Sequence, residues 1–149
     1  MRIEDEIKTS GFKDNHVKAL VNINFTASWI GNIHNQLLKP FGISMQQYNI
    51  LRILRGSRPE HLPVSEVKLR MVDKTPNTTR LVDKLLAKGL AERFRCDKDR
   101  RVVYLGITDA GLEAMTEIDK VFMASELSDL PLTDDEARIL SDLLDKLRG

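Results

Sequence analysis

Between residues 65 and 111 the chain sets out two short helical patterns and a charged hairpin with no spare residues between them. No other feature limits its possible folds as tightly. The spacing predicts a helix over 65–71, a turn over 72–75 and a second helix over 76–88 that stops before Gly89. Two strands follow, 90–95 and 102–107, joined by a short polar loop. Thr75 offers a hydroxyl as N-cap of the second helix, and Pro76 suits the first helical position, where a missing N–H costs nothing. Leu81, Val82, Leu85 and Leu86 recur at helical spacing and are expected to face the core, and Gly89 supplies the left-handed residue that ends a helix.

The opposite side of that helix is polar. Asn77, Arg80 and Lys84 lie three and four apart, so their donors share one surface with those of Thr78 and Thr79. Such a face is either a solvated amphipathic surface or a reader of duplex DNA. In the second case Arg pairs with guanine and Asn with adenine in the major groove. The loop Cys96-Asp97-Lys98-Asp99-Arg100-Arg101 favours the second. It is too charged for a core and too short for a linker, and an arginine on its tip suits a narrow minor groove. Lys98 and Arg100 are the candidates. Arg101 stands two residues from Asp99, on the same side of an extended segment, and is assigned partly to bracing. Two helices, a turn and a basic hairpin in this order make a winged helix-turn-helix.

These residues carry a family resemblance. The run Thr79-Arg80-Leu81-Val82-Asp83-Lys84-Leu85, then Lys88-Gly89-Leu90, Asp99-Arg100-Arg101 and Ile107-Thr108-Asp109-Ala110-Gly111 resembles the MarR family of bacterial transcription regulators. The likeness extends over nearly the whole chain. It implies a mainly α fold with a small β-hairpin wing in a single unit, residues 1–149, in which 44–107 read DNA and the helices within 16–39 and 108–149 form a homodimer. It further implies a repressor on a palindromic operator, released by a small aromatic ligand held between the dimerisation helices and the reading part. Trp29, His34, Tyr48 and Met71 are the candidates for lining that crevice; aromatic and Met side chains at helical spacing also serve as plain core.

Length and charge agree with one domain and a nucleic-acid partner. The 149 residues suffice for a single core. The net charge of +1 conceals a polarity: residues 65–104 hold eleven Lys and Arg against six Asp and Glu, whereas residues 108–149 hold four against eleven. A segment at +5 joined to one at −7 is expected where one end meets phosphates. A single Cys excludes an intramolecular disulfide framework. Without an apolar run near the ~20 residues of a membrane span, or a signal pattern, a cytoplasmic protein is expected. Arg95 beside Cys96 favours its thiolate. The oxidation-sensing members brought in by the resemblance carry their cysteine near the N-terminus, where this chain has none. His16, His34 and His61 are far apart in sequence and no His or Cys pair has metal-ligand spacing, so no metal or cofactor is expected. Nor is there a phosphate-cradling glycine loop or a nucleophile elbow, and no enzyme is expected.

The remainder is helical. Apolar positions from Val17 to Leu38 fit a long helix over 16–39, closed by Pro40 and Gly42. Ser44-Met45-Gln46-Gln47 is a capping box for the next helix, which ends near Gly56. Thr108 caps a helix expected to run to about Ser128. Pro131 interrupts the chain, and Thr133 to Glu136 forms a second capping box for a last helix striped with Ile139, Leu140, Leu143, Leu144 and Leu147. That stripe is either plain core or a subunit contact. The first fifteen residues, with Ile3, Ile7 and Phe12 among charges, form either a short arm helix or a frayed terminus. A winged-helix module that docks a protein instead of DNA remains the alternative of a different class.

Overall fold

The computed structural model describes residues 1–74, 77–95 and 102–149. A short arm helix α1 (Ile3–Glu6) leads to the long α2 (Asn15–Leu38), whose first turn is capped by Asp14 accepting from the His16 amide. Pro40 forces a single 3-10 turn, Lys39–Phe41, which Gly42 ends in the left-handed region at φ +63°. The Ser44 capping box then starts α3 (Met45–Gly56) as expected: the hydroxyl accepts from Gln47 N–H at 3.2 Å and the Gln47 side chain accepts from Ser44 N–H at 2.9 Å. β1 (Leu62–Pro63) follows, then α4 (Val64–Arg70), α5 (Thr78–Ala87), the hairpin β2 (Ala91–Arg95) and β3 (Val103–Ile107), α6 (Asp109–Met123) and α7 (Asp134–Arg148).

Three expectations need correction. First, β1 makes the wing a three-stranded antiparallel sheet of order β1-β3-β2, with Leu62 opposite Leu105. A two-residue strand containing proline carries no period for the sequence to show. Second, α6 stops at Met123 and not near Ser128. There Ser125 Oγ donates to the Phe122 carbonyl and Ser128 Oγ to that of Ser125, local bonds that compete with helix continuation. Third, α5 begins at Thr78, because Asn77 has non-helical angles (φ −116°, ψ 36°). The proposed capping pair Thr75 and Pro76 lies outside the described residues, and so do Cys96 to Arg101.

The core lies where α3, α4, α5 and α6 meet the inner face of the wing sheet. Leu38, Ile50, Leu51, Leu54, Val67, Leu85, Leu105, Met115 and Ile118 are fully buried there. The sheet alternates as its period of two requires: Leu105 and Ile107 face inward, while Glu92, Phe94, Tyr104 and Gly106 occupy the outer positions of β2 and β3. On the outer side the His61 ring lies over Gly106, meets Phe94 edge-on at 4.5 Å and stands 3.5 Å from the Glu92 carboxylate.

Two glycines permit close approach with different consequences. A Cβ on Gly111, in the first turn of α6, would strike the backbone carbonyl of Leu90, which cannot swing aside. A Cβ on Gly106 would strike the His61 ring, a half-exposed side chain that can turn outward. Gly111→Ala is therefore expected to destabilise the fold by about 2 kcal/mol, and Gly106→Ala by less than about 1 kcal/mol. Denaturant unfolding of the two variants beside the parent checks the order; equal losses would contradict it.

Candidate nucleic-acid interface

α5 is anchored on one side and free on the other. Thr78, Val82 and Leu85 are buried and define its inner face. The Gln47 side chain, itself buried, donates to the Leu81 carbonyl at 3.3 Å and so ties the first turn of α3 to the middle of α5. At the far end Gly89 (φ +68°) closes the helix in a Schellman motif, with Gly89 N–H on Leu86 O at 2.9 Å and Leu90 N–H on Leu85 O at 3.0 Å. The middle, the C-terminal end and one face are fixed, and the remaining face is exposed.

On that face the structure places most of the residues proposed from sequence. Asn77, Thr79, Arg80 and Lys84 are exposed. With about 100° between successive residues, Arg80 stands opposite the buried side and forms the crest. Neither Arg80 nor Lys84 is held by an ion pair among the described residues. Two clefts flank the crest. The cleft toward the wing, about 340 Å³, has Thr79, Asp83 and Arg93 in its walls; the other, about 320 Å³, is bounded by Gln46, Asn77 and Lys84. Thr78 is the exception: it is 3% exposed and its hydroxyl donates to the Met71 sulfur at 3.7 Å, so it belongs to the core and not to the polar face. Starting the helix at residue 78 turns that side chain inward. Lys98, Arg100 and Arg101 lie outside the described residues.

Sequence reasoning missed Arg93 and Gln46. Arg93 lies 3.4 Å from Asp83 and links β2 to α5. Period-two alternation along 91–95 puts it on the side of Ala91, which faces the helices, and was the available signal. Gln46 lies beside the capping box and reaches Asp73 at 3.4 Å across the turn.

The residues suggested for a ligand crevice are separated by role. His34 and Tyr48 both stack on Phe122, with centroids 5.2 and 5.0 Å apart, where α2, α3 and α6 meet. Met71 is buried beneath Thr78, and Trp29 is exposed on α2. Phe122, not singled out in the sequence, fills the space beside the other two rings. Burial lowers the pKa of His34 and raises that of Tyr48.

Fold and exposed face together define a winged helix-turn-helix protein whose α5 carries an exposed polar face. The MarR family model matches residues 43–103, which run from just before α3 to the start of β3. Over 84 residues, 56% of the chain, it is 31% identical to the transcriptional repressor MprA of Escherichia coli (strain K12). The match spans about half the length of that curated relative, 48%. A MarR transcription factor from Planctomyces limnophilus superposes with a TM-score of 0.70 at 28% identity, covering 92% of this chain and 95% of that one. A mutant MarR of E. coli, solved in complex with operator DNA, gives a TM-score of 0.74 at 24% identity, covering 93% and 100%. The chain thus resembles MarR-family transcription regulators, in sequence over residues 43–103 and in fold over most of its length.

The lowered pKa of His34 has a definite sign. The fold favours the neutral ring, so its contribution is complete above the ordinary histidine value and is lost as pH falls through the lowered one. Melting temperature is expected to fall between about pH 7.5 and 5.5 in the parent and to fall less in His34→Phe, since the ordinary value is about 6.5. Equal slopes would remove His34 from the account.

Proposed function

We propose that the protein is a dimeric, sequence-specific DNA-binding transcriptional regulator that acts as a repressor. The observation that carries this reading is the free polar crest of α5. Arg80 has no ion pair among the described residues and projects from a helix fixed along its inner face and at its C-terminal end, flanked by Asn77, Thr79 and Lys84. Arg80 and Asn77 read base edges in the major groove, Thr79 and Lys84 position the helix on phosphates, and Lys98 and Arg100 of the wing loop contact the minor groove, with Arg101 partly a brace. The MarR relative complexed with operator DNA and the repressor relative support the assignment.

Dimerisation is part of the proposal. α7 has no buried residue, and Ile139, Leu140, Leu143 and Leu147 are each about half exposed. A stripe of this kind at helical spacing is costly in water. Val17, Leu20, Phe25 and Trp29 on α2 extend the exposed apolar surface. A second copy covers both, and a twofold axis would set the two α5 helices about one turn of duplex apart, ~34 Å. The effector reading is that a small aromatic anion binds between the dimerisation helices and the reading part by displacing Phe122 from its stack on His34 and Tyr48.

The test is selection of genomic fragments by the purified protein, followed by sequencing. Enrichment of a palindrome with half-site centres about ten base pairs apart is expected. Affinity should fall with salt at a log–log slope of about −0.9 per phosphate contact. Recovery of no motif at any salt would favour a module that docks a protein. Arg80→Ala is expected to relax base choice at one position of each half-site by about 1–3 kcal/mol, whereas Lys98→Ala weakens binding to all sequences alike. If both variants bind every duplex as the parent does, the assignment of the reading face is wrong. Replacing Leu140 and Leu143 by Glu should yield monomers in sedimentation; an unchanged dimer would place the interface elsewhere.

A further inference from the structure

Thr108 carries two assignments at once. Its hydroxyl is the N-cap of α6, accepting from the Gly111 N–H at 3.0 Å. The same hydroxyl donates to the carbonyl of Gly89 at 2.6 Å, and Gly89 is the residue that ends α5. A hydroxyl has one proton to give and lone pairs to receive, so both bonds form together without competition. The backbone repeats the link: Thr108 N–H donates to the Leu90 carbonyl at 3.3 Å, and Leu90 N–H completes the Schellman motif on Leu85. Gly111 lacks a side chain where that Leu90 carbonyl presses against α6. The end of the reading helix and the start of α6 are thus joined through one side chain and the residues on either side of it.

We infer that Thr108 is a positioning residue for DNA reading: it fixes the angle between the reading helix and α6 and thereby sets the half-site spacing the dimer accepts. This rests on the DNA-reading function proposed above. The lever is long enough to matter. α5 has ten residues, about 15 Å at 1.5 Å per residue, so a turn of about 10° at the joint moves its far end by about 2.6 Å. That approaches the ~3.4 Å rise of one base pair along the duplex. A loosened joint leaves the base-reading side chains of each half intact and blurs the distance between halves. Loss of an ordinary helix cap would instead lower stability and weaken binding at every spacing alike.

The two roles separate with Thr108→Asp, Thr108→Val and Thr108→Ser. An ionised Asp still accepts from Gly111 N–H and caps α6, but has no proton for the Gly89 carbonyl. Val has neither bond, and Ser keeps both. The experiment is selection from a duplex library that pairs the parent's half-site with itself across spacers of varied length, with melting temperature recorded for each variant.

Parent and Thr108→Ser are expected to enrich one spacing. Thr108→Asp, which keeps the cap and loses the Gly89 bond, should melt between the parent and Thr108→Val, retain the half-site sequence, and accept several spacings, with about a tenfold loss at the parent's best site. Thr108→Val should do the same with a lower melting temperature. If Thr108→Asp keeps a single spacing, Thr108 is an N-cap alone and the inference fails, even if Thr108→Val does not fold. If spacing and half-site sequence are lost together in Thr108→Asp, the residue supports the fold and not the angle, and the inference fails again. If the parent itself enriches no half-site, the DNA-reading function falls and takes this inference with it.

Discussion

A helix of ten residues does not hold itself together in water, since the first turn costs more than so few later turns return. The proposed reading helix α5 therefore exists because of what it buries. Val82 and Leu85 lie in the main core, Thr78 is bonded to the Met71 sulfur, and Leu81 carries on its carbonyl the amide of a buried Gln47. Gln47 is employed at both ends of its amide, as the acceptor in the Ser44 capping box and as the donor to α5. A buried amide left without either bond would cost about 1–3 kcal/mol. The start of α3 and the middle of α5 are consequently fixed relative to each other. The polar crest can stay without an ion pair among the described residues because the opposite side is fully occupied.

What the sequence disclosed followed from how local each interaction is. The hydroxyl caps at Ser44, Thr108 and Thr133 each bond to an amide three residues on, and all three are where the sequence placed them. So is the glycine that ends α5. Features depending on distant partners were less legible. β1 exists because Leu62 meets Leu105, more than forty residues away, and a dipeptide has no periodicity to advertise it. Thr78 looked like one more polar residue on a polar face; its inward turn depends on where the helix starts and on the sulfur of Met71. Phe122 was invisible as a partner of His34 and Tyr48 because three separate helices bring those rings together.

The charge polarity divides labour along the chain. Residues 65–104 carry +5 and residues 108–149 carry −7. The negative part keeps the apolar C-terminal surface soluble without placing acid on the reading crest. On α7 the acidic residues are interleaved with the leucines, and Arg138 is held by Asp135 and Asp142 at 3.3 and 3.6 Å. Exposed pairs of this kind are worth little individually. Their use is to leave the leucine stripe as the one extensive apolar face of that helix.

The C-terminal helices and the proposed reading part are coupled by contacts of two kinds. Among the described residues two ion pairs join them, Arg55 with Asp119 through both terminal guanidinium nitrogens at 2.6 and 3.4 Å and Arg58 with Asp109 at 3.7 Å. Both are at least one-third exposed, and such pairs contribute about 0–1 kcal/mol and weaken with salt. They steer the packing of α3 on α6 without rigidly fixing it. The junction at Thr108 differs in kind: its bonds are short and neutral, two of its three acceptors and donors are backbone groups at helix ends, and a backbone carbonyl lies against a glycine. Salt does not screen it, and the Leu90 carbonyl held against Gly111 cannot swing aside. Motion between α6 and α5 therefore costs more at this junction than at the charged contacts.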